Sequence, residues 1–216
     1  MDAQKAAREL TVIRQLMERP IRFSTMSGLA AIQAGLWALA GVVADWWVFS
    51  GFDQWQKATI AGMGVWAAVF IGAFVGVVVL TRRREIAQGM PFWSPVKRRI
   101  LATILPPFIA AIGLTLAVAL RSLHFAAQPE RAETLLQWCV VQGMLIPAIW
   151  MLFYGAALWQ LGQFSPVEVK ALGGAFIAAG LATALFWQWH PYWAMGITFG
   201  GFHIVYGIVV WIRHGG

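Results

Sequence analysis

The chain has 216 residues, of which 60% are hydrophobic and 12% charged, with a formal net charge of +7. Soluble domains carry roughly 25% charged residues, so this share excludes an ordinary soluble globule and indicates a chain mostly dissolved in lipid. A spanning helix takes about 20 apolar residues; six of them use most of the length and leave no room for a separate globular domain. The expected class is therefore all-α: a polytopic membrane protein with six transmembrane helices and an N-terminal amphipathic helix.

Residues 1–22 form a first segment without the apolar core of a cleavable signal peptide. Ala3, Ala6, Ala7, Leu10, Ile13, Leu16 and Met17 recur at steps of three and four, and Pro20 ends the pattern. This predicts an amphipathic helix over 2–19, too short and too charged to span. Its alanine-rich face suits either a shallow membrane contact or a protein contact.

The six-helix domain, 23–216, comes next. The predicted spans are Ser24–Ala44, Ala58–Leu80, Ile100–Leu120, Leu135–Trp159, Val169–Trp187 and Tyr192–Ile212. The first is expected to act as an uncleaved signal anchor. Thirteen Lys and Arg fall on the side of the N-terminal tail, among them Arg82, Arg83, Arg84, Lys97, Arg98 and Arg99; Lys57, Arg121 and Arg131 fall on the other. This bias predicts both termini on the cytoplasmic side, here of a bacterial inner membrane. The same basic residues suit anionic headgroups and a cytoplasmic protein partner, so nucleic acid is not expected as a partner.

Tryptophan supports the placement. Trp46, Trp47, Trp55, Trp138, Trp187, Trp189 and Trp193 fall at the outer edge, and Trp93, Trp159 and Trp211 at the inner. Amphipathic rings favour both interfaces. Trp37, Trp66 and Trp150 lie deeper and must pack against something or line it.

Short motifs recur. Ser94-Pro95-Val96 and Ser165-Pro166-Val167 precede the third and fifth spans, Phe-Ile-Ala-Ala stands at 108–111 and 176–179, and Tyr-Gly-x-x-x-Trp at 154–159 and 206–211. They fit repeated hairpin units like those of some transporters. They also fit convergent capping and aromatic-belt chemistry, which the shortness of the matches favours.

No Asp, Glu, Lys or Arg falls in the interior of a predicted span; Lys170 stands at the start of the fifth, and Asp45 just beyond the first. A proton-coupled pump usually needs a buried carboxylate and a retinal protein a buried lysine, so both classes are disfavoured. His203, mid-way along the sixth span, needs a hydrogen-bond partner at that depth. Gln33 lies at a compatible depth and Tyr206 one turn away. The histidine suits either a ligand contact or interhelical glue. Gln142 and Tyr154 are further polar candidates in the fourth span. Pro147 between them, and Pro106 and Pro107 in the third span, can kink their helices and open a pocket between spans three, four and six.

The rows Ala30/Ala34/Ala38 and Gly196/Gly200 suit close helix packing, either within one chain or in a homo-oligomer. His203 has no histidine at equal depth to complete a bis-His haem site; His124 and His190, both at the outer edge, could in principle pair, but interface histidines beside Trp and Pro are commoner. Cys139 is the single cysteine, so no disulfide or Cys-rich metal site is expected. No catalytic motif occurs; neither an enzymatic role nor a cofactor is expected.

Phe92-Trp93-Ser94-Pro95, Leu105-Pro106-Pro107, Tyr154-Gly155 with Gly162-Gln163-Phe164-Ser165-Pro166, and Gly200-Gly201-Phe202-His203 with Tyr206-Gly207 resemble an uncharacterised group of small bacterial membrane proteins. The resemblance covers nearly the whole chain. It implies the six-helix topology and draws attention to Tyr154, His203 and Tyr206, but implies no activity. In size, tryptophan content and the Ala-x-x-x-Ala row, the chain also looks similar to the six-helix substrate-binding subunits of vitamin uptake transporters.

Two functions are therefore expected. The leading one is a non-enzymatic sensor, accessory or regulatory subunit acting with a partner. The alternative is a binding or transport module for a small apolar or aromatic molecule, lined by Trp37, Trp66, Trp150, Gln33, His203 and Tyr206. A pore formed by an oligomer comes third.

Overall fold

The computed structural model describes residues 27–51, 55–87, 89, 91, 93–126, 143–163, 165–186 and 191–214. The 2–19 segment and Gln142 lie outside them. Helices α1 (Gly28–Gly51), α2 (Trp55–Ala87), α3 (Pro95–Ala126), α4 (Ile146–Leu161) and α5 (Val167–Leu185) succeed one another along the chain. Helix α6 runs from Pro191 to His214, with a π-helical stretch, Gly196–Phe202, between two α-helical parts. Among the described residues there is no strand. Five helices are long and apolar enough to cross a membrane, and α4 is a shorter apolar helix of 16 residues. The protein is all-helical and compatible with multi-pass insertion.

Several ends differ from expectation. Helix α1 continues past Ala44 to Gly51, which brings Asp45 inside the helix, where it is buried. Helix α2 continues past Leu80 to Ala87 and carries Arg82–Arg84 and Glu85 on its last turns. Hydropathy alone places a span end at the first charge, whereas backbone hydrogen bonding continues into the interface. Pro147 stands in the first turn of α4, after a turn at Leu145, so it starts that helix instead of bending its middle. Pro106 and Pro107 do lie inside α3.

Helix α1 packs on α2 and α6, and α4 packs on α3 and α5. Lipid tails offer little hydrophobic drive for association, so close approach through small residues takes its place. On α1, Gly28 meets α6: a methyl group there would lie 2.5 Å from the Gly207 carbonyl oxygen and 2.9 Å from the Trp211 nitrogen. On α5, Gly173 meets α4 in the same way, 2.8 Å from the Gly155 carbonyl oxygen and 2.5 Å from the Trp159 nitrogen. Conversely, Gly207 abuts Ile32, and Gly155 abuts Ile177. Seven residues further along, Gly35 presses on Ile204 of α6 and Gly180 on Leu152 of α4.

The two Tyr-Gly-x-x-x-Trp copies thus make one and the same clasp, residue for residue, in α6–α1 and in α4–α5. Belt chemistry at the interfaces does not by itself require this match of contacts. The Gly196/Gly200 row is used within the chain, against Val42 and Leu39 of α1, and Ala30 and Ala38 are buried. The core lies where the two clasped pairs meet, among Met151, Leu158, Val169, Phe176, Tyr206 and Val210.

Candidate functional site

The site grows from the π-helical turn. Gly196-Ile197-Thr198-Phe199-Gly200-Gly201-Phe202 is rich in glycine, which weakens the preference for an α-helix. The Thr198 hydroxyl turns back and donates to the Ala194 carbonyl at 2.7 Å. A π segment accommodates an extra residue in the helix and so resets the direction in which later side chains point; such segments are frequent at functional sites. The first residue after it is His203.

His203 is buried, and its Nε2 is 2.6 Å from the Tyr154 hydroxyl on α4. This bond crosses between the two clasped pairs. Rings from three helices surround it. Phe176 of α5 lies 4.9 Å from Tyr154 and 5.4 Å from His203, centroid to centroid. Phe108 of α3 is 6.0 Å from Tyr154 on another side. Phe199 is 5.1 Å from Tyr154 and stacks on His203 at 6.1 Å. Phe108 and Phe176 are the first residues of the two Phe-Ile-Ala-Ala copies, so that repeat supplies two walls of the cage.

The second imidazole nitrogen, Nδ1, is buried and makes no hydrogen bond among the described residues. The pair is thus joined by one short hydrogen bond inside the ring cage. Tyr206 is buried one turn beyond and joins the same core.

The other expected site residues have different places. The Gln33 amide donates to the Ala73 carbonyl of α2 at 2.9 Å and to Ala30 at 3.2 Å, with its head against Gly76. Gln33 therefore glues α1 to α2, and the partner of His203 is Tyr154. Depth made Gln33 a candidate, but its side chain leaves α1 on the face toward α2. Trp37 is 44% exposed and lies over Gly72 of α2, away from the pair. Trp150 donates to the Thr115 hydroxyl on α3 at 3.0 Å and packs on Phe70 and Phe108, behind the cage wall. Trp66 meets Tyr192, 6.2 Å away, at the end opposite the Arg82–Arg84 cluster.

Sequence reasoning missed two buried carboxylates. Asp45 of α1 is 4% exposed and lies over Gly62 of α2. Glu85, 1% exposed, is held by Lys97 at 2.6 Å and Arg82 at 3.6 Å, joining α2 to α3. Two expected surface cations are thereby drawn inward, while Arg83, Arg98 and Arg99 remain exposed. At the same end Arg213 of α6 binds Glu168 of α5 at 2.8 Å. Among the described residues, no group of three or more His, Cys, Asp or Glu is placed to hold a metal. The chain matches no family model, no curated protein and no solved structure.

Proposed function

We propose that this protein binds a small, largely apolar or aromatic molecule between its two clasped helix pairs, and that Tyr154 and His203 are the polar contact for it. The observation that carries this reading is the 2.6 Å Tyr154–His203 bond, which crosses between the equivalent helices α4 and α6 inside a cage of phenylalanines. Transporter sites commonly lie at the junction of repeated units near mid-membrane, beside an interrupted helix. Here the interruption is the π segment. A ligand carbonyl or hydroxyl would insert where the phenol now meets the imidazole, and the phenylalanine faces would take up its apolar body. The protein acts without chemistry on the ligand, in a bacterial inner membrane with both termini cytoplasmic. The test is a screen of membrane-soluble aromatic compounds by quenching of tryptophan fluorescence in nanodiscs. A hit should lose at least tenfold in affinity with His203→Ala, and equal affinity in the variant would refute the reading.

A second reading makes the protein an accessory subunit that recruits a partner, or anionic lipid, at its basic end. It draws on the exposed Arg83, Arg98 and Arg99 and on the Glu85–Lys97 contact that ties the last turns of α2 to the first turn of α3.

A further inference from the structure

The basic end of the bundle carries a second feature, away from the Tyr154–His203 pair. Helix α3 opens with Pro95-Val96-Lys97-Arg98-Arg99 and has no acid in its first turn. The Ser94 hydroxyl accepts the Lys97 backbone N–H at 3.3 Å and closes that turn. A helix N-terminus carries partial positive charge, so cations placed there are disfavoured. Lys97 is compensated by Glu85 of α2 at 2.6 Å. Arg98 and Arg99 are exposed and form no ion pair among the described residues. The described acids at this end are engaged elsewhere, Glu85 by Lys97 and Arg82, and Glu168 by Arg213. The missing complement of the two arginines is an anion from outside the chain.

The face of α3 that Arg98 heads is apolar. Leu101, Leu105, Ile109, Ile112, Leu116 and Leu120 follow Arg98 at steps of three and four, and all six are exposed. The stripe is about 28 Å long at a rise of ~1.5 Å per residue, close to the roughly 30 Å hydrocarbon core of a bilayer. Arg98 therefore stands at the depth where the apolar core gives way to headgroups. Trp93, also exposed, stands just before α3, and indole rings favour that same layer. One kind of molecule complements both parts. Its acyl chain lies along the stripe, and its phosphate accepts N–H bonds from guanidinium groups, whose fork suits phosphate oxygens. A headgroup that also bears an ammonium would set a cation against the arginines, so the net-negative class is favoured. We propose that the first turns of α3 bind an anionic phospholipid, with Arg98 and Arg99 holding its phosphate. This rests on the reading of the basic end as a recruiting surface and names the ligand it takes.

The test is native mass spectrometry of the whole protein in mild detergent, titrated with dioleoyl phosphatidylglycerol and, separately, with dioleoyl phosphatidylcholine, so that only the headgroup differs. The phosphatidylglycerol should bind roughly tenfold more tightly, as two arginines at headgroup depth predict. Arg98→Gln combined with Arg99→Gln should remove most of that preference, while Arg121→Gln, near the other end of α3, should leave it unchanged. Should the double variant fail to fold, Arg98→Gln alone should still lose several-fold. Equal affinity for the two lipids, a preference that survives the arginine changes, or displacement of the lipid by glycerol phosphate at equal concentration would overturn the proposal. A surviving preference would leave the basic end as a recruiting surface with its lipid held elsewhere. A protein that co-purifies and is lost from the double variant would replace the lipid as occupant. Equal lipid affinity with no co-purifying protein would remove the recruiting surface as well.

Discussion

Gly28 and Gly207 meet backbone to backbone: a methyl group on either would come within 2.6 Å of the other's carbonyl oxygen. Gly155 and Gly173 repeat the contact in α4–α5, at 2.8 Å in both directions. Because the obstructing atoms belong to the backbone, a side chain here forces the helices apart. Gly207→Val or Gly173→Val should cost about 1–3 kcal/mol or more, as overpacking does. Gly113→Ala, where a methyl group meets nothing within 4 Å, should be neutral or stabilise by about 0.5–1 kcal/mol. Thermal unfolding in mild detergent distinguishes them, and equal effects at the three positions would contradict the clasp.

The Glu85–Lys97 pair makes a second prediction. Removing one partner of a buried ion pair typically costs about 3–5 kcal/mol. Lys97→Met should fall toward the lower end, because Arg82 also reaches Glu85 at 3.6 Å. The double change Lys97→Met with Glu85→Gln should recover part of the loss, since no buried charge is stranded. Additive losses in a double-mutant cycle would show that the two side chains do not interact.

The accessory-subunit reading has its own test. Deleting residues 2–19 should leave the bundle folded, because the core is built from α4, α5 and α6 with support from α1 to α3. If the basic end recruits a protein, that protein should co-purify with the full chain and be lost from the truncated one. A pull-down without a partner in either case would remove the protein-recruiting form of this reading.

Much of the architecture was legible because the membrane imposes length and charge rules on each helix. The span ends were less so. Asp45 and Glu85 break the apolar run but continue the helix, and the Glu85 charge is met by Arg82 one turn back and by Lys97 on the next helix. His203 and Tyr154 were legible as isolated polar residues at depth. Their pairing was not, because it depends on the extra residue in the Gly196–Phe202 turn, which periodicity at 3.6 residues per turn does not register. Gln33 shows the converse: equal depth says nothing of facing direction. The Tyr-Gly-x-x-x-Trp copies were visible, but only the matching contacts of Gly28 and Gly173 reveal what the motif does.

The most direct test of the central claim is native mass spectrometry of the protein extracted in mild detergent from its own membrane, beside its Tyr154→Phe and His203→Ala variants. The account predicts a small molecule bound to the unaltered protein and lost, or sharply reduced, in His203→Ala. An unaltered protein that carries no small molecule, or one retained equally in both variants, would contradict it.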